Sequence, residues 1–387
     1  MTAFPRRPFG LYVHVPFCPQ RCPYCAFSVV TGRRAEEGLY VDRLCGEIET
    51  WARLGDRGGL DTVFFGGGTP SRLDPRLLGR ILETADRFLG LRRGVEVTCE
   101  ANPSTAEAGR FRDLRRAGVT RLSLGVQSLR DGSLRRLGRA HDAAEAERAY
   151  GVARAAGFDS VGMDLIFSIP GAAAADWEHT VKRAIVLAPD HLSAYALTVE
   201  EGTAFARRRA SGDLPEIGEA EDEEAWFHAV ESFGAAGYEH YEISNFARPG
   251  HRCAHNWDGW TGGEYVGVGV SAHSFLEGRR FWNTPDFDDY LQRMADRGNA
   301  RAGEEPPDEE RCRRDRLWLG LRTCAGVELE AEESRRLAAS TLWPRLRAHG
   351  HATLEGRRLR LTERGFAVAD AVAGAVSDEV RSRAEAA

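Results

Sequence analysis

Six short runs dominated by β-branched and apolar residues recur through the first half of the chain: LYVHV (11–15), TVFFGGG (62–68), VEVTCEAN (95–102), RLSLGVQS (121–128), VGMDLIFSIP (161–170) and HLSAYALTVE (191–200). Each has the continuous apolar character of a strand buried on both faces. Segments of helical spacing lie between them: in YVDRLCGEIETWARL (40–54) Leu44, Ile48 and Trp51 share a face, and AAEAERAYGVARAAG (143–157) closes on a glycine. A repeated β-then-α order confines the chain to parallel strands joined by right-handed crossovers, as an open doubly wound sheet or a barrel. Six units predict an α/β fold built as a partial (β/α)6, TIM-like barrel. Residues of unusual chemistry, at 18–25, 66–70, 100–103, 127 and 164, then fall on the carboxyl-end rim where such folds assemble active sites.

After residue 200 the pattern loosens. EAEDEEAWFHAVESFGAAG (219–237) reads as a helix with a solvated acidic start, and WTGGEYVGVGVSAHSF (260–275) as a strand with close backbone approach. EEPPDEE (304–310) reads as the linker between a main unit, residues 1–300, and a small C-terminal α+β unit, residues 301–387. The helical RCRRDRLWLGLRT (311–323), a hairpin at 352–361 and a helix over 362–376 capped by Thr362 make that unit winged-helix-like. Winged helices often bind DNA, but a formal charge of 52 − 58 = −6 gives no reason to expect nucleic acid, and packing on the main unit accounts for Arg357, Arg358 and Arg360.

The opening MTAFPRRPFG lacks the apolar core of a secretory signal and no apolar run approaches bilayer length, so the expected compartment is the cytoplasm. Cys45, Cys99, Cys253, Cys312 and Cys324 are scattered, as in a reducing compartment. Cys18, Cys22 and Cys25, in HVPFCPQRCPYCAF (14–27), are not. CxxxCxxC can bind zinc with one further ligand, His14 or a distant histidine, or hold three irons of a four-iron, four-sulfur cluster, and spacing alone leaves both open. GGGTP (66–70) suits either a tight turn or a backbone that approaches a ligand. Glu100 suits a rim salt bridge or an ammonium or ribose partner. Gln127 and Asp164 hold matching positions, and Asp164, in an apolar strand, needs a dedicated partner. Arg139 could reach back to a carboxylate. In CAHNWDGW (253–260), His255 reads from the residues alone as a loop histidine hydrogen-bonded beside core tryptophans, with axial ligation of heme iron beside Trp257 and Trp260 as the alternative.

The cysteine motif, with Tyr24 just before its third member, resembles the radical S-adenosylmethionine (SAM) superfamily, in which three thiolates hold a [4Fe–4S] cluster and SAM takes the fourth iron. YVHVPFCPQRCPYC, FFGGGTP, CEANP, LSLGVQS, LGRAHD, MDLIFSIPG and YEISNFA, in this order, resemble the family that contains oxygen-independent coproporphyrinogen III dehydrogenase and the heme chaperone HemW, over roughly residues 11–370. The resemblance implies Cys18, Cys22 and Cys25 as cluster ligands and Tyr12, Gly67 and Glu100 as contacts to cluster-bound SAM. Tyr24, Gly68, Thr69, Gln127, Arg139 and Asp164 correspond to a second SAM site. Phe27 stands where the dehydrogenase carries a further cysteine, and only about ten residues precede Tyr12, which points to the chaperone branch. CAHNWDGW resembles that branch's HNxxYW heme signature at His255, Asn256 and Trp260, with Gly259 at the tyrosine position. The implied function is a heme chaperone that uses a [4Fe–4S] cluster, SAM and heme and passes heme to hemoprotein acceptors, some of them at the membrane, with homodimer formation left open. The alternatives are a radical SAM oxidoreductase or methyltransferase acting on a porphyrin or another natural-product substrate, such as the dehydrogenase, and a zinc-stabilised binding protein. Cys253 and His273 are secondary candidates for the heme iron.

Overall fold

Each of the six apolar runs is a strand in the computed structural model, which describes residues 6–55, 57–104 and 108–381. β1 (Phe9–Val15) leads into a short pair, β2 (Phe17–Cys18) and β3 (Val30–Thr31), that brackets the cysteine loop. β4 (Leu60–Gly67), β5 (Leu91–Ala101), β6 (Arg121–Gln127), β7 (Ser160–Phe167) and β8 (His191–Ala196) follow, each parallel to the one before, with β4 beside β1. β9 (Glu239–Glu242), β10 (Asn245–Ala247), β11 (Glu264–Val268), β12 (His273–Leu276), β13 (Arg279–Asn283) and β14 (Arg301–Glu305) extend both ends. The order is β14-β13-β12-β11-β1-β4-β5-β6-β7-β8-β10-β9; β11 is parallel to β1, and the outer strands are antiparallel. This is the α/β arrangement of parallel strands, in a partial barrel, that the sequence predicts.

The runs conceal a period of two. Leu11, Val13, Val63, Leu122, Val161 and Met163 are fully buried, in one core with Leu44 and Ile48 of helix Glu37–Thr50 and Leu78 and Ile81 of helix Pro75–Leu89. The alternate set, including Tyr12, Phe64, Glu96, Glu100, Arg121 and Asp164, turns inward and makes a polar lumen. Asp164 therefore lies within β7 and not beyond its end, where the sequence places it.

Leu317, Leu321, Leu337, Leu359, Val372 and Val376 form a second core. It gathers helices Glu309–Leu321, Ala331–Ala339, Leu342–Ala348 and Ala369–Val380 on a sheet of β15 (Val327–Glu328), β16 (Ala352–Glu355) and β17 (Arg358–Leu361), ordered β15-β17-β16. The expected helix over 362–376 is two pieces, Glu363–Phe366 and Ala369–Val380. Thr362 caps the first through the Gly365 N–H at 3.1 Å, and a Cβ at Gly365 would stand 1.9 Å from the His351 carbonyl oxygen, so that turn is held on the hairpin while the chain re-aims. The hairpin arginines are engaged within the unit: Arg357 and Arg358 pair with Glu328, and Arg360 with Glu355.

The expected linker is short because β14 runs to Glu305 and Asp308 already caps the next helix. The small unit spans the opening between the two ends of the curved sheet. On one side Thr323 bridges Glu242, and the Ile243 N–H donates to the Arg322 carbonyl at 3.1 Å, which pairs an otherwise exposed edge. On the other, Arg280 meets Asp315 at 2.6 Å. No helix among the described residues is long and apolar enough to cross a membrane.

Candidate functional site

The cysteine loop leaves β1 at Val15 and is docked on GGGTP by two backbone bonds, Gly68 N–H to Val15 at 2.8 Å and Thr69 N–H to Phe17 at 3.1 Å. The contact requires glycine. Gly67 has φ 110° and a Cβ there would lie 2.6 Å from the His14 ring; one at Gly68 would lie 2.8 Å from the Pro16 carbonyl carbon. Outside, Gln20 donates to the Gly138 carbonyl at 3.0 Å, Pro23 accepts from Phe205 N–H at 3.0 Å, and Tyr24 packs on Phe205.

The three thiols are half-buried, and burial, followed by the neighbouring thiols, pushes Cys18 up; burial also raises Cys25. A chain of polar bonds runs from Cys18 to Cys22. The Thr69 hydroxyl accepts from Asn102 Nδ2 at 3.0 Å, which leaves its proton for Cys18 Sγ at 3.4 Å. Arg139 donates to Asn102 Oδ1, to the Gly125 carbonyl at 3.1 Å and to Cys22 Sγ at 3.4 Å, and stands beside Tyr24. Arg139 thus reaches an amide, a carbonyl and a thiol instead of the expected carboxylate. Asn102, unnoticed in the sequence, sits two residues beyond Glu100. Among the described residues no three His, Cys, Asp or Glu side chains converge as a single-ion site needs. A polynuclear group, each of whose irons takes one thiolate, suits three thiols spread around a loop. His14 has both ring nitrogens engaged, Nε2 with the Ser28 carbonyl at 2.9 Å and Nδ1 with Tyr12 OH at 3.1 Å, so it is not placed to complete a zinc site.

Below the rim, Glu100 accepts from the Gly67 N–H at 3.1 Å, and burial, reinforced by Asp164, pushes its carboxyl up to about 8. Asp164 has its dedicated partners, Ser123 at 3.0 Å and Ser193 at 2.8 Å, and burial raises it too. Gln127 ends β6 in the left-handed region at φ 65°, and its amide folds back to where a Cβ at Gly125 would lie 2.9 Å away.

Helix Ala254–Trp260 plugs the far end of the lumen. Its N-terminus is capped from β5: Glu96 Oε1 accepts from the N–H groups of Ala254 at 2.8 Å and His255 at 3.3 Å. Arg121, only 4% exposed, lies 3.6 Å from Glu96 and donates to the His251 carbonyl at 3.0 Å. The His255 ring stacks on Phe64 at 5.1 Å, and its Nδ1 is 2.8 Å from Thr62 Oγ1. A Cβ at Gly10 would meet Thr62 Oγ1 at 2.7 Å and the imidazole at 3.2 Å. Burial pushes the imidazole down to about 4, and no hydrogen bond to Nε2 exists among the described residues. Gly10 and Val15 are five residues apart on one strand, so His255 and the cysteine loop lie at opposite ends of the lumen, roughly 17 Å apart at the ~3.3 Å rise of a strand.

Asn256, Gly259 and Trp260 line the same space, and the Trp260 side chain donates to the buried Glu242 carboxylate. Nothing lies within 4 Å of a Cβ at Gly259. Trp257 instead packs on Tyr241 and under Arg252. Cys253 is buried against Glu96, its thiol pushed up to about 12, and it does not line the cavity, so it is not placed to act as a ligand there. The sequence reading missed Thr62, Glu96 and Arg121. Their signal was two opposite charges, Glu96 and Arg121, in strands read as apolar.

The lumen opens into a cavity of about 2080 Å³, lined by Tyr12 and Phe27 toward the rim and by His255 and Trp260 at the base, with helix Glu309–Leu321 as its roof. That exceeds the ~300–1,000 Å³ of most small-ligand pockets and accommodates a macrocycle.

A family model described as the Radical SAM superfamily matches residues 12–184. The protein named heme chaperone HemW of Mycobacterium tuberculosis is 37% identical over 383 residues, 96% of this chain and 95% of its own length. The heme chaperone HemW of Synechocystis is 35% identical over 83% of this chain and 79% of its length, and that of Escherichia coli 38% identical over 70% and 72%. Among solved structures, coproporphyrinogen III oxidase (HemN) from Escherichia coli superposes with a TM-score of 0.82 at 24% identity, covering 97% of this chain and 91% of that one, a likeness of fold.

Proposed function

Because the chain belongs to the heme chaperone HemW family, within the radical SAM superfamily, we propose that it carries heme in the lumen beneath a rim that holds a [4Fe–4S] cluster and SAM, and delivers heme to hemoprotein acceptors. Cys18, Cys22 and Cys25 would hold the cluster, which when bound supplies the electron that SAM chemistry needs and an iron free of protein ligands. The residues fit that group: three thiols on one loop, and a glycine cradle at Gly67 and Gly68 that any side chain would fill. Gly67 would meet the cluster-bound SAM, while Gly68 and Thr69 would face the second site. Glu100, protonated when alone, would lose its proton to face an ammonium or hydroxyl, and Tyr12 lines the cavity toward the rim. Gln127, Arg139 and Asp164 have partners inside the chain, so a second SAM would exchange those bonds for its own.

The single observation that carries the heme reading is His255: a neutral imidazole, oriented at Nδ1 by Thr62, with Nε2 open on a cavity wide enough for a porphyrin. Phe64 and Tyr265 steady the ring. Anaerobically reconstituted protein titrated with heme should develop an imidazole–heme spectrum that is lost in His255→Ala; an unchanged spectrum in that variant removes the assignment. Heme transfer from the loaded protein to an apo-hemoprotein tests delivery. One observation favours the alternative of a porphyrin-transforming enzyme: the cavity is continuous from base to rim, so a macrocycle could reach the rim chemistry. Conversion of coproporphyrinogen III under anaerobic reducing conditions would establish it.

A further inference from the structure

The same cavity carries a second imidazole, His273, which the reading above leaves unused. β11 ends at Val268, and a turn through Gly269 and Ser271 feeds β12. Both residues are left-handed, at φ 101° and 59°. Glycine is obligatory at 269, where a Cβ would lie 2.5 Å from Tyr40 OH and 2.7 Å from the His14 carbonyl oxygen. Ser271 holds the conformation without that excuse, fixed by its N–H bond to the Thr284 carbonyl at 2.8 Å. Non-glycine strain of this kind concentrates where a fold must aim a functional group.

What the turn aims is His273. Gly267 is paired with Tyr12 on the inner face of the sheet, and a Cβ there would stand 2.1 Å from the His273 carbonyl oxygen. The absent side chain lets the start of β12 fold over the lumenal face, held by Gly267 N–H to Ser274 Oγ at 2.8 Å. His273 is consequently exposed on the cavity and has no hydrogen bond among the described residues. It is nevertheless oriented: its ring stacks on Trp282 at 5.7 Å and 22°, and Trp282 is seated on Gly303, where a Cβ would lie 2.4 Å from the indole. Partial burial and the nearby Arg280 keep the imidazole in its neutral, ligating form. A rigidly stacked ring with unpartnered nitrogens, neutral and facing a cavity that holds another such ring, is built as a ligand.

We propose that His273 would serve as a second ligand of the heme iron, in addition to His255. The proposal rests on the heme-carrying reading and names the ligand set of that site.

The test uses full-length, anaerobically reconstituted protein titrated with ferric heme, with absorption and EPR spectra of wild type, His273→Ala, His273→Gln, His255→Ala and the double variant. Two axial imidazoles give wild type a low-spin, six-coordinate spectrum. His273→Ala and His273→Gln shift it to high spin with cluster iron unchanged, and added imidazole restores the low-spin form in His273→Ala. A high-spin wild type, or low-spin spectra retained in both position-273 variants, overturns the proposal. If His255→Ala alone changes the spectrum, the heme reading survives and this inference falls. If only the position-273 variants change it, the His255 assignment falls and His273 remains a ligand. If neither does, both fall.

Discussion

The two ends of the lumen hold their polar groups by different means. At the rim, Cys18, Thr69, Asn102, Arg139 and Cys22 form a chain of bonds carried largely by loops beyond the main strands. At the base, His255 is fixed by Thr62, a strand residue, and its helix is pinned by Glu96 and Arg121, also on strands. Loops can adjust to an incoming cluster and nucleotide, whereas strand-borne contacts hold a single imidazole geometry. The proposed function would use both: a rim that takes up cofactors and a base that fixes one imidazole in one orientation.

The sharpest break of this contrast is loss of a thiol. Cys22→Ser should leave no stable cluster, measured as iron and sulfide after anaerobic reconstitution, while heme titration of the same sample stays near wild type; loss of both would show that the ends are not independent. At the base, Arg121→Ala removes a buried guanidinium from beside the half-buried Glu96 carboxylate and its bond to the His251 carbonyl, and should cost about 1–3 kcal/mol in denaturant unfolding. Thr62→Val keeps the shape of the side chain but removes the bond to Nδ1, and should weaken heme binding by about 10–100-fold with iron content unchanged.

The two ends also titrate in opposite senses. Glu100, raised to about 8, contributes stability that is complete below the ordinary glutamate range and is lost as pH rises through 8; Glu47, buried behind the sheet and raised to about 7, acts the same way. His255, lowered to about 4, contributes stability that is complete above the ordinary histidine range and lost as pH falls through 4. Thermal melts of the cofactor-free protein should show Glu100→Gln flattening the alkaline limb and His255→Gln the acid limb; identical profiles would refute the assignment. The smallest effect belongs to Gly259→Tyr. The open space there admits the ring, and replacing a helical glycine should add about 0.5 kcal/mol by calorimetry with somewhat tighter heme binding.

The rim was largely legible because its groups are local in sequence. Three thiols stand within eight residues, GGGTP closes one strand, and Glu100 lies at the end of another. Asp164 was recognised as needing partners, but Ser123 and Ser193 come from the flanking strands β6 and β8, so their meeting depends on strand order. His255 was singled out from its motif, yet its partner Thr62 lies 193 residues away. The strand pattern hid the base. Outward apolar residues made each run look continuous, and the inward Glu96 and Arg121 vanished into it.

What the chain determined alone was the alternation of strand and helix and the cysteine loop, since both arise from neighbours that interact whatever the rest does. Tertiary structure decided which buried charges meet, that Asn102 joins Thr69 to Arg139, and that a bare Gly267 lets His273 cross into the lumen. Those contacts exist only once the sheet curves. Curvature brings inward faces of distant strands within hydrogen-bonding reach, and a group buried there must find its partner in the curve and not along the chain.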